Sequence, residues 1–385
     1  VAKRKICIVV GSRANYSSIK SAMRAIHARP DLELQVVVAA SALLDRYGSV
    51  VEVVQRDGFK PAAKVYMLVE GETPATMAKS TGLGLMELPT IFEQLEPAIV
   101  LTVGDRFETM ATTLAAAYMN IPLAHTMGGE VSGTIDESIR HAVTKFAHIH
   151  FPACSDARDR IIKLGERPED VYLVGCPRID LVAEVLEQDR NGLGPDLFAQ
   201  GVGGVFDLNQ PFLLLSQHPV TTEYGEGERQ ITETLLAVNQ LSIPAIALWP
   251  NADAGAEDIA RGMRKFREHL DDSKIHFFKN LPPDVYLVLM RKTACIVGNS
   301  SSAIREGAFI GAPAVNIGTR QAMRQRGRNV VDVDYHCEEI ADAVVHQMKH
   351  GPYPSEPIYG DGRAGERIAD ILSRCSWRLQ KQITY

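Results

Sequence analysis

Glu130, Asp136, Glu137 and His141 fall within one short span, Gly128-Gly129-Glu130-Val131-Ser132-Gly133-Thr134-Ile135-Asp136-Glu137-Ser138-Ile139-Arg140-His141. Carboxylates grouped near an imidazole are groups that can move or fix protons. The glycine pair and Gly133 let backbone approach a ligand closely. From Thr134 the pattern turns helical, so Thr134 or Asp136 can cap a helix and leave amide groups facing an anion. The segment reads as the floor of a site that handles a polar substrate.

Other segments carry a phosphate chemistry. Gly11-Ser12-Arg13-Ala14-Asn15-Tyr16-Ser17 places Arg13 and Ser17 at a strand-to-helix turn, either an anion seat or a plain turn with a surface Arg. It lacks the Gly-x-Gly-x-x-Gly spacing, so a nicotinamide cofactor is not supported. In Val103-Gly104-Asp105-Arg106, Asp105 is either a helix cap or a functional carboxylate at a strand end. In Ser216-Gln217-His218-Pro219, His218 can donate to a phosphate or be structural. Asn251, after Trp249-Pro250, is a ligand contact or a turn former.

The strongest phosphate signal is Gly298-Asn299-Ser300-Ser301-Ser302-Ala303-Ile304-Arg305-Glu306. Small hydroxyl residues at a helix start offer amide and hydroxyl donors to a diphosphate. Glu306 is placed to accept both hydroxyls of a ribose; the bland alternative is a Ser-rich cap. Arg320, in Gly318-Thr319-Arg320, adds a cation. His148 and His150 share a strand face, but no carboxylate or thiol partner is evident, so no metal site is expected.

These residues sit at the ends of short apolar runs that alternate with helical patterns. Strands are expected at 6–10, 34–39, 98–103, 122–125, 148–152 and 171–174, with helices after Tyr16, Ala75, Asp105, Thr134 and Ser155. Strands without polar alternation, separated by helices, mean a parallel sheet covered on both faces. Asn191-Gly192-Leu193-Gly194-Pro195 and Gly201-Val202-Gly203-Gly204 interrupt the rhythm as a boundary. It restarts with strands at 212–216, 245–249, 275–278, 294–297 and 313–317, and helices after Glu226, Ala254, Pro283, Ser301 and Cys337. The expected domains are 1–188 and 189–363, both doubly wound, with a helix in 364–385 packing across their junction. Ligands in such sheets bind beyond the carboxyl ends of the strands.

The chain has 385 residues, 45% hydrophobic and 23% charged, with a formal charge of −6. That supports two full cores and implies no basic face large enough for nucleic acid. No apolar run reaches the roughly 18 residues of a membrane span. The apolar run in Val1–Val10 is too short for a signal peptide and reads as a first strand. Six scattered cysteines form no metal or redox pair and suit a reducing cytoplasm.

In combination these motifs resemble the hydrolysing branch of the UDP-N-acetylglucosamine 2-epimerase family, from Lys5 to about Gly362. The segments that carry the resemblance are Gly104-Asp105-Arg106-Phe107, Gly128 to His141, His218-Pro219-Val220-Thr221-Thr222, Pro250-Asn251-Ala252-Asp253-Ala254-Gly255, Gly298-Asn299-Ser300-Ser301, Gly318-Thr319-Arg320-Gln321 and Ile358-Tyr359-Gly360-Asp361-Gly362. The epimerase half of the animal bifunctional epimerase–kinases is particularly similar.

The resemblance implies an α/β, GT-B-like fold, two Rossmann-like domains facing a central cleft. Arg13, Ser17, Arg106, His218, Asn251, Ser300, Ser301, Glu306 and Arg320 would hold the UDP part, with His218 serving the leaving group. Asp105, Glu130, Asp136 and Glu137 would lie near the hexose. It further implies elimination of UDP to a 2-acetamidoglucal and addition of water with inversion, giving free N-acetylmannosamine, which feeds sialic acid synthesis. No cofactor or metal is required, and homodimers or homotetramers built through the first domain are implied.

Three residues depart from the family pattern, all on the hexose side. Asn15 stands for an Asp, Ala42 for a His and Met127 for a Glu regarded as catalytic. Met cannot exchange a proton, and Glu130 is the nearest replacement. A modified hexose, such as a 2,4-diacetamido sugar, is therefore the alternative substrate. A glycosyltransferase and a non-catalytic nucleotide-sugar sensor are the other classes.

Overall fold

The computed structural model describes residues 3–71, 73–187, 197–250, 253–269 and 274–384. They divide into two compact units, one of residues 1–131, 135–181 and 359–385, the other of 132–134 and 182–358. The expected boundary at 188/189 and the Asn191–Pro195 segment lie outside the described residues.

The first unit holds six strands: β1 (Arg4–Val10), β2 (Leu32–Ala39), β3 (Pro61–Val65), β4 (Ile99–Val103), β5 (Leu123–Thr126) and β6 (Ile149–Phe151). They form one parallel sheet in the order β3-β2-β1-β4-β5-β6. Its helices include α1 (Arg13–Ser17), α2 (Lys20–Ala28), α3 (Val50–Arg56), α4 (Pro74–Leu95), α5 (Phe107–Tyr118), α6 (Asp136–Phe146), α7 (Ser155–Lys163) and the start of α8 (Pro177–Glu187). Ile6, Cys7, Ile8, Val9 and Val10 are all buried, as a strand covered on both faces requires. Each such side chain contributes about 1.5–3 kcal/mol by leaving water.

The second unit adds β7 (Val202–Gly203), β8 (Leu213–Ser216), β9 (Ala245–Leu248), β10 (Ile275–Phe278), β11 (Cys295–Gly298), β12 (Ala314–Ile317) and β13 (Val330–Val333). Their order is β13-β12-β11-β8-β9-β10-β7, parallel except for β7. The helices are α9 (Gly227–Gln240), α10 (Ala256–His269), α11 (Pro283–Lys292), α12 (Ser301–Ile310) and α13 (Cys337–His350). In both sheets strand order reverses beside the first strand, between β1 and β4 and between β8 and β11. Those two points are where a doubly wound sheet opens a crevice for ligand.

One expected strand differs. Residues 171–174 form no strand: only Val171 bridges to His150. The last helix, α14, covers Ala364–Arg374 and packs on α2 within the first unit. Asp180 anchors it, accepting from the Ala364 and Gly365 N–H groups at 2.9 and 2.7 Å and from the Ser21 hydroxyl at 2.8 Å. Beyond Arg374, Lys381 reaches Glu166 at 2.6 Å, and the Thr384 N–H donates to the Gly165 carbonyl at 3.0 Å.

Candidate functional site

Asp105 follows β4 at the first switch point, in the turn opened by Gly104 at φ +71. It does not cap α5, whose N-cap is Arg106 with no side-chain bond. Instead its Oδ2 accepts two N–H groups of Arg140, from Nε at 2.8 Å and from Nη2. Arg140 Nη1 donates to the Glu130 main-chain oxygen at 2.8 Å. The guanidinium is only 1% exposed. Burial works against its charge, but Asp105 and Glu130 outweigh that and raise its pKa. Two charge-assisted donors on one oxygen fix the orientation of the Asp105 carboxylate. Arg140 went unremarked in the sequence because a cation in a helical segment reads as a solvated surface charge.

The same helix, α6, carries Asp136 and Glu137 in its first turn. Its N-cap is Ile135, so neither Thr134 nor Asp136 caps it. Glu137 lies 4.0 Å from Arg140 Nη1 and 3.3 Å from His141 Nε2. Glu130, Asp105, Arg140, Glu137 and His141 thus form one connected acid–base cluster, with the buried Glu130 held through its backbone.

The glycines of this loop serve packing. A Cβ on Gly129 would lie 2.2 Å from the Ala157 carbonyl oxygen, and one on Gly133 2.1 Å from that of Thr319. Residues 132–134 belong to the second unit, where the Gly133 N–H donates to the Arg320 oxygen at 3.1 Å and Thr222 Oγ1 donates to the Gly133 oxygen at 3.1 Å.

Behind the turn, His125 is fully buried. Its Nε2 donates to the Gly104 oxygen at 2.8 Å, leaving Nδ1 to accept, with Thr144 Oγ1 at 3.4 Å. Burial pushes its pKa down to about 3, so the ring is neutral and fixes the turn that carries Asp105.

The Gly11–Ser17 turn lies across the same switch point. Asn15 accepts from the Gly11 N–H and donates to the Val103 oxygen, both at 3.1 Å, tying the ends of β1 and β4. Ser17 turns its hydroxyl back to the Arg13 oxygen at 3.0 Å, and Arg13 opens the short helix α1. Arg106 donates Nε to Glu108 Oε1 at 2.8 Å. Glu108 is buried over Gly11 and was not singled out in the sequence.

Two of the departures line apolar ground. Ala42 is fully buried, and Met127 is 5% exposed with its sulfur 3.6 Å from Cys176 Sγ. Met127 also holds φ +59, a conformation that side-chain-bearing residues rarely adopt.

In the second unit three loops meet at the β8–β11 switch point. Asn299 accepts the His218 N–H at 2.7 Å and donates to the His218 oxygen at 2.9 Å. Its own oxygen accepts from Arg320 Nη1 at 3.2 Å and from Gln321 Nε2 at 2.9 Å. Ser300 caps α12, accepting from the Ser302 N–H; Ser301 opens the helix and Glu306 is buried within it. His218, Ser300, Ser301 and Arg320 are therefore gathered around one residue. Asn251 lies outside the described residues.

His148 and His150 each hydrogen-bond within the first unit. His148 Nδ1 accepts from the Leu123 N–H at 3.2 Å, and its Nε2 donates to the Leu379 oxygen at 3.1 Å. His150 has the carboxylate partner that the sequence did not reveal, Glu166 at 3.2 Å. Among the described residues no group of three or more His, Cys, Asp or Glu is arranged to hold a metal. None of the described helices is long and apolar enough to cross a membrane.

A family model described as UDP-N-acetylglucosamine 2-epimerase matches residues 24–373. The chain belongs to that family.

The epimerase-family chain is 32% identical over 369 residues to a Legionella pneumophila protein named UDP-N,N'-diacetylbacillosamine 2-epimerase (hydrolyzing), covering 96% of this chain and 95% of that one. It is 29% identical to the UDP-N-acetylglucosamine 2-epimerase of Neisseria meningitidis, with 99% and 98% covered. Among solved structures, UDP-GlcNAc 2-epimerase from Neisseria meningitidis bound to UDP-GlcNAc superposes with TM-score 0.79 at 17% identity, covering 96% of this chain and 99% of that one. The epimerase fold is thus α/β and GT-B-like, with two Rossmann-like domains.

Proposed function

We propose that the protein is a hydrolysing 2-epimerase that converts UDP-N-acetylglucosamine, or a close relative, to UDP and the free 2-epimeric sugar. The Asp105–Arg140 pair carries this reading. A carboxylate held in one orientation at a strand end, with the Glu130 main chain and the Glu137 carboxylate on the same guanidinium, suits proton transfer to and from carbon.

The base takes the C2 proton while the C1–oxygen bond breaks, and UDP leaves with the electron pair. The 2-acetamidoglucal formed then takes hydroxyl at C1 and a proton at C2 on the opposite face. The sum is substrate plus water giving UDP plus N-acetylmannosamine. Asp105, Glu130, Asp136 and Glu137 supply the proton transfers. His218 serves the departing diphosphate, which donors and cations stabilise. Arg13, Ser17, Arg106, Ser300, Ser301, Glu306, Arg320 and Asn251 are assigned to the UDP part. No cofactor enters the scheme. The enzyme is assigned to the cytoplasm, as a homodimer or homotetramer.

A second reading keeps the chemistry and changes the sugar. Met127 in contact with Cys176, and a fully buried Ala42, leave these two hexose-side positions without a proton carrier. The Legionella relative is named for a diacetamido sugar, so a UDP-2,4-diacetamido hexose is the alternative substrate.

Incubation with each UDP-sugar, without acceptor, tests both. Release of UDP and a reducing sugar in equal amounts is expected. Binding of UDP-sugar without release would make the protein a sensor, and release only with an acceptor would make it a transferase.

A further inference from the structure

We propose that Asn299 is a positioning residue, which acts by holding the main chain of His218; this rests on the reading that His218 serves the leaving group. Regular pairing of β8 with β11 ends at Ser216 opposite Gly298. Gly298 turns at φ +126, and a Cβ there would lie 2.3 Å from the Ser216 oxygen, so the close approach requires glycine. The Asn299 N–H then donates to that same oxygen at 3.1 Å. Beyond this point the side chain takes over from the ladder. Its carboxamide accepts the His218 N–H and returns an N–H to the His218 oxygen. Next in the chain is Pro219, which has no N–H to continue any pairing.

The bridge depends on polarity. A carboxamide offers an acceptor oxygen and an NH2 donor group; a carboxylate keeps the first and loses the second. The side chain is 0% exposed, so water does not replace the lost bond cheaply. The contacts from Arg320 and Gln321 go to the Asn299 main-chain oxygen and survive a change of side chain. Asn299→Asp therefore loosens His218 while leaving Ser300, Ser301 and Arg320 in place.

The experiment compares wild type, Asn299→Asp, His218→Asn and the double variant. It measures kcat and KM for the UDP-sugar, the Kd of UDP, and the ring ¹H–¹⁵N signals of His218, assigned by their loss in His218→Asn. In Asn299→Asp, kcat should fall about 100-fold, as for a displaced catalytic group. KM and the UDP Kd should stay within about threefold, and the double variant should be no slower than His218→Asn alone. The His218 ring signals should move.

A kcat within about threefold of wild type, or penalties that multiply in the double variant, overturns the proposal. If the wild type turns over no UDP-sugar, the functional reading fails instead, and unmoved ring signals then refute the positioning separately. Should Asn299→Asp fail to fold, Asn299→Ser, which adds no charge, goes through the same measurements.

Discussion

Arg140 and Asp105, thirty-five residues apart in sequence, share two hydrogen bonds on a single carboxylate oxygen, and the same guanidinium fastens the Glu130 main chain. The strand-end carboxylate and the acidic loop are thereby set by one buried cation. Arg140→Met should remove orientation from both at once. Breaking a buried ion pair from one side costs roughly 3–5 kcal/mol, less here because Asp105 is partly exposed. We expect a loss of about 2–3 kcal/mol in chemical denaturation and at least about a hundredfold loss in kcat. Arg140→Lys should restore stability better than rate, since an ammonium cannot reproduce the guanidinium fork.

Met127 provides the test of sugar preference. Met127→Glu puts a carboxylate beside Cys176 in place of a sulfur contact. The ratio of turnover on the 2-acetamido and 2,4-diacetamido UDP-sugars should change at least about fivefold, about 1 kcal/mol of discrimination. An unchanged ratio would make Met127 a packing residue only.

Stability should fall with acid from about pH 6.5 downward. His125 is held neutral, its pKa pushed by burial to about 3. The unfolded chain therefore binds a proton that the folded chain refuses, and stability drops as pH falls from about 6.5 towards 3. His125→Gln, whose amide can still donate to the Gly104 oxygen, should flatten the decline of Tm between pH 7 and pH 5.

A second acid-sensitive point lies at Glu166. Burial raises its pKa, but hydrogen bonds from His150, Lys145 and Lys381 outweigh this and hold it at about 2. Its contribution is complete above the ordinary carboxylate range and is lost as pH falls from about 4.5 to 2. In Glu166→Gln, Tm at pH 7 should drop and its dependence below pH 4.5 should weaken. A scan parallel to wild type in that range would contradict the assignment.

The sheets were legible because buried parallel strands are continuous apolar runs, as in Ile6–Val10 and Ala245–Leu248. Short strands with exposed or polar positions were missed: Pro61–Val65 alternates in burial, and Val330–Val333 carries Asp332. Both flank their sheets, where fewer partners impose the pattern. Conversely, Val171–Val174 has strand composition but only one bridge. Asp105 stood out because strand ends face the crevice. Arg140, Glu108 and the bracing role of Asn299 did not. Arg140 and Asn299 act through partners fixed by the fold, eighty-one residues away in sequence for Asn299 and His218, and Glu108 lies over Gly11 of another turn. A helical Arg or a motif Asn has no local signature of such a bond.

The most direct measurement is incubation of the pure protein in deuterated water with UDP-N-acetylglucosamine, then with a UDP-2,4-diacetamido hexose, followed by NMR. The account predicts UDP and a free sugar inverted at C2, with deuterium on that carbon, for at least one substrate. A sugar that remains joined to UDP, or is released with its C2 hydrogen retained, would contradict it.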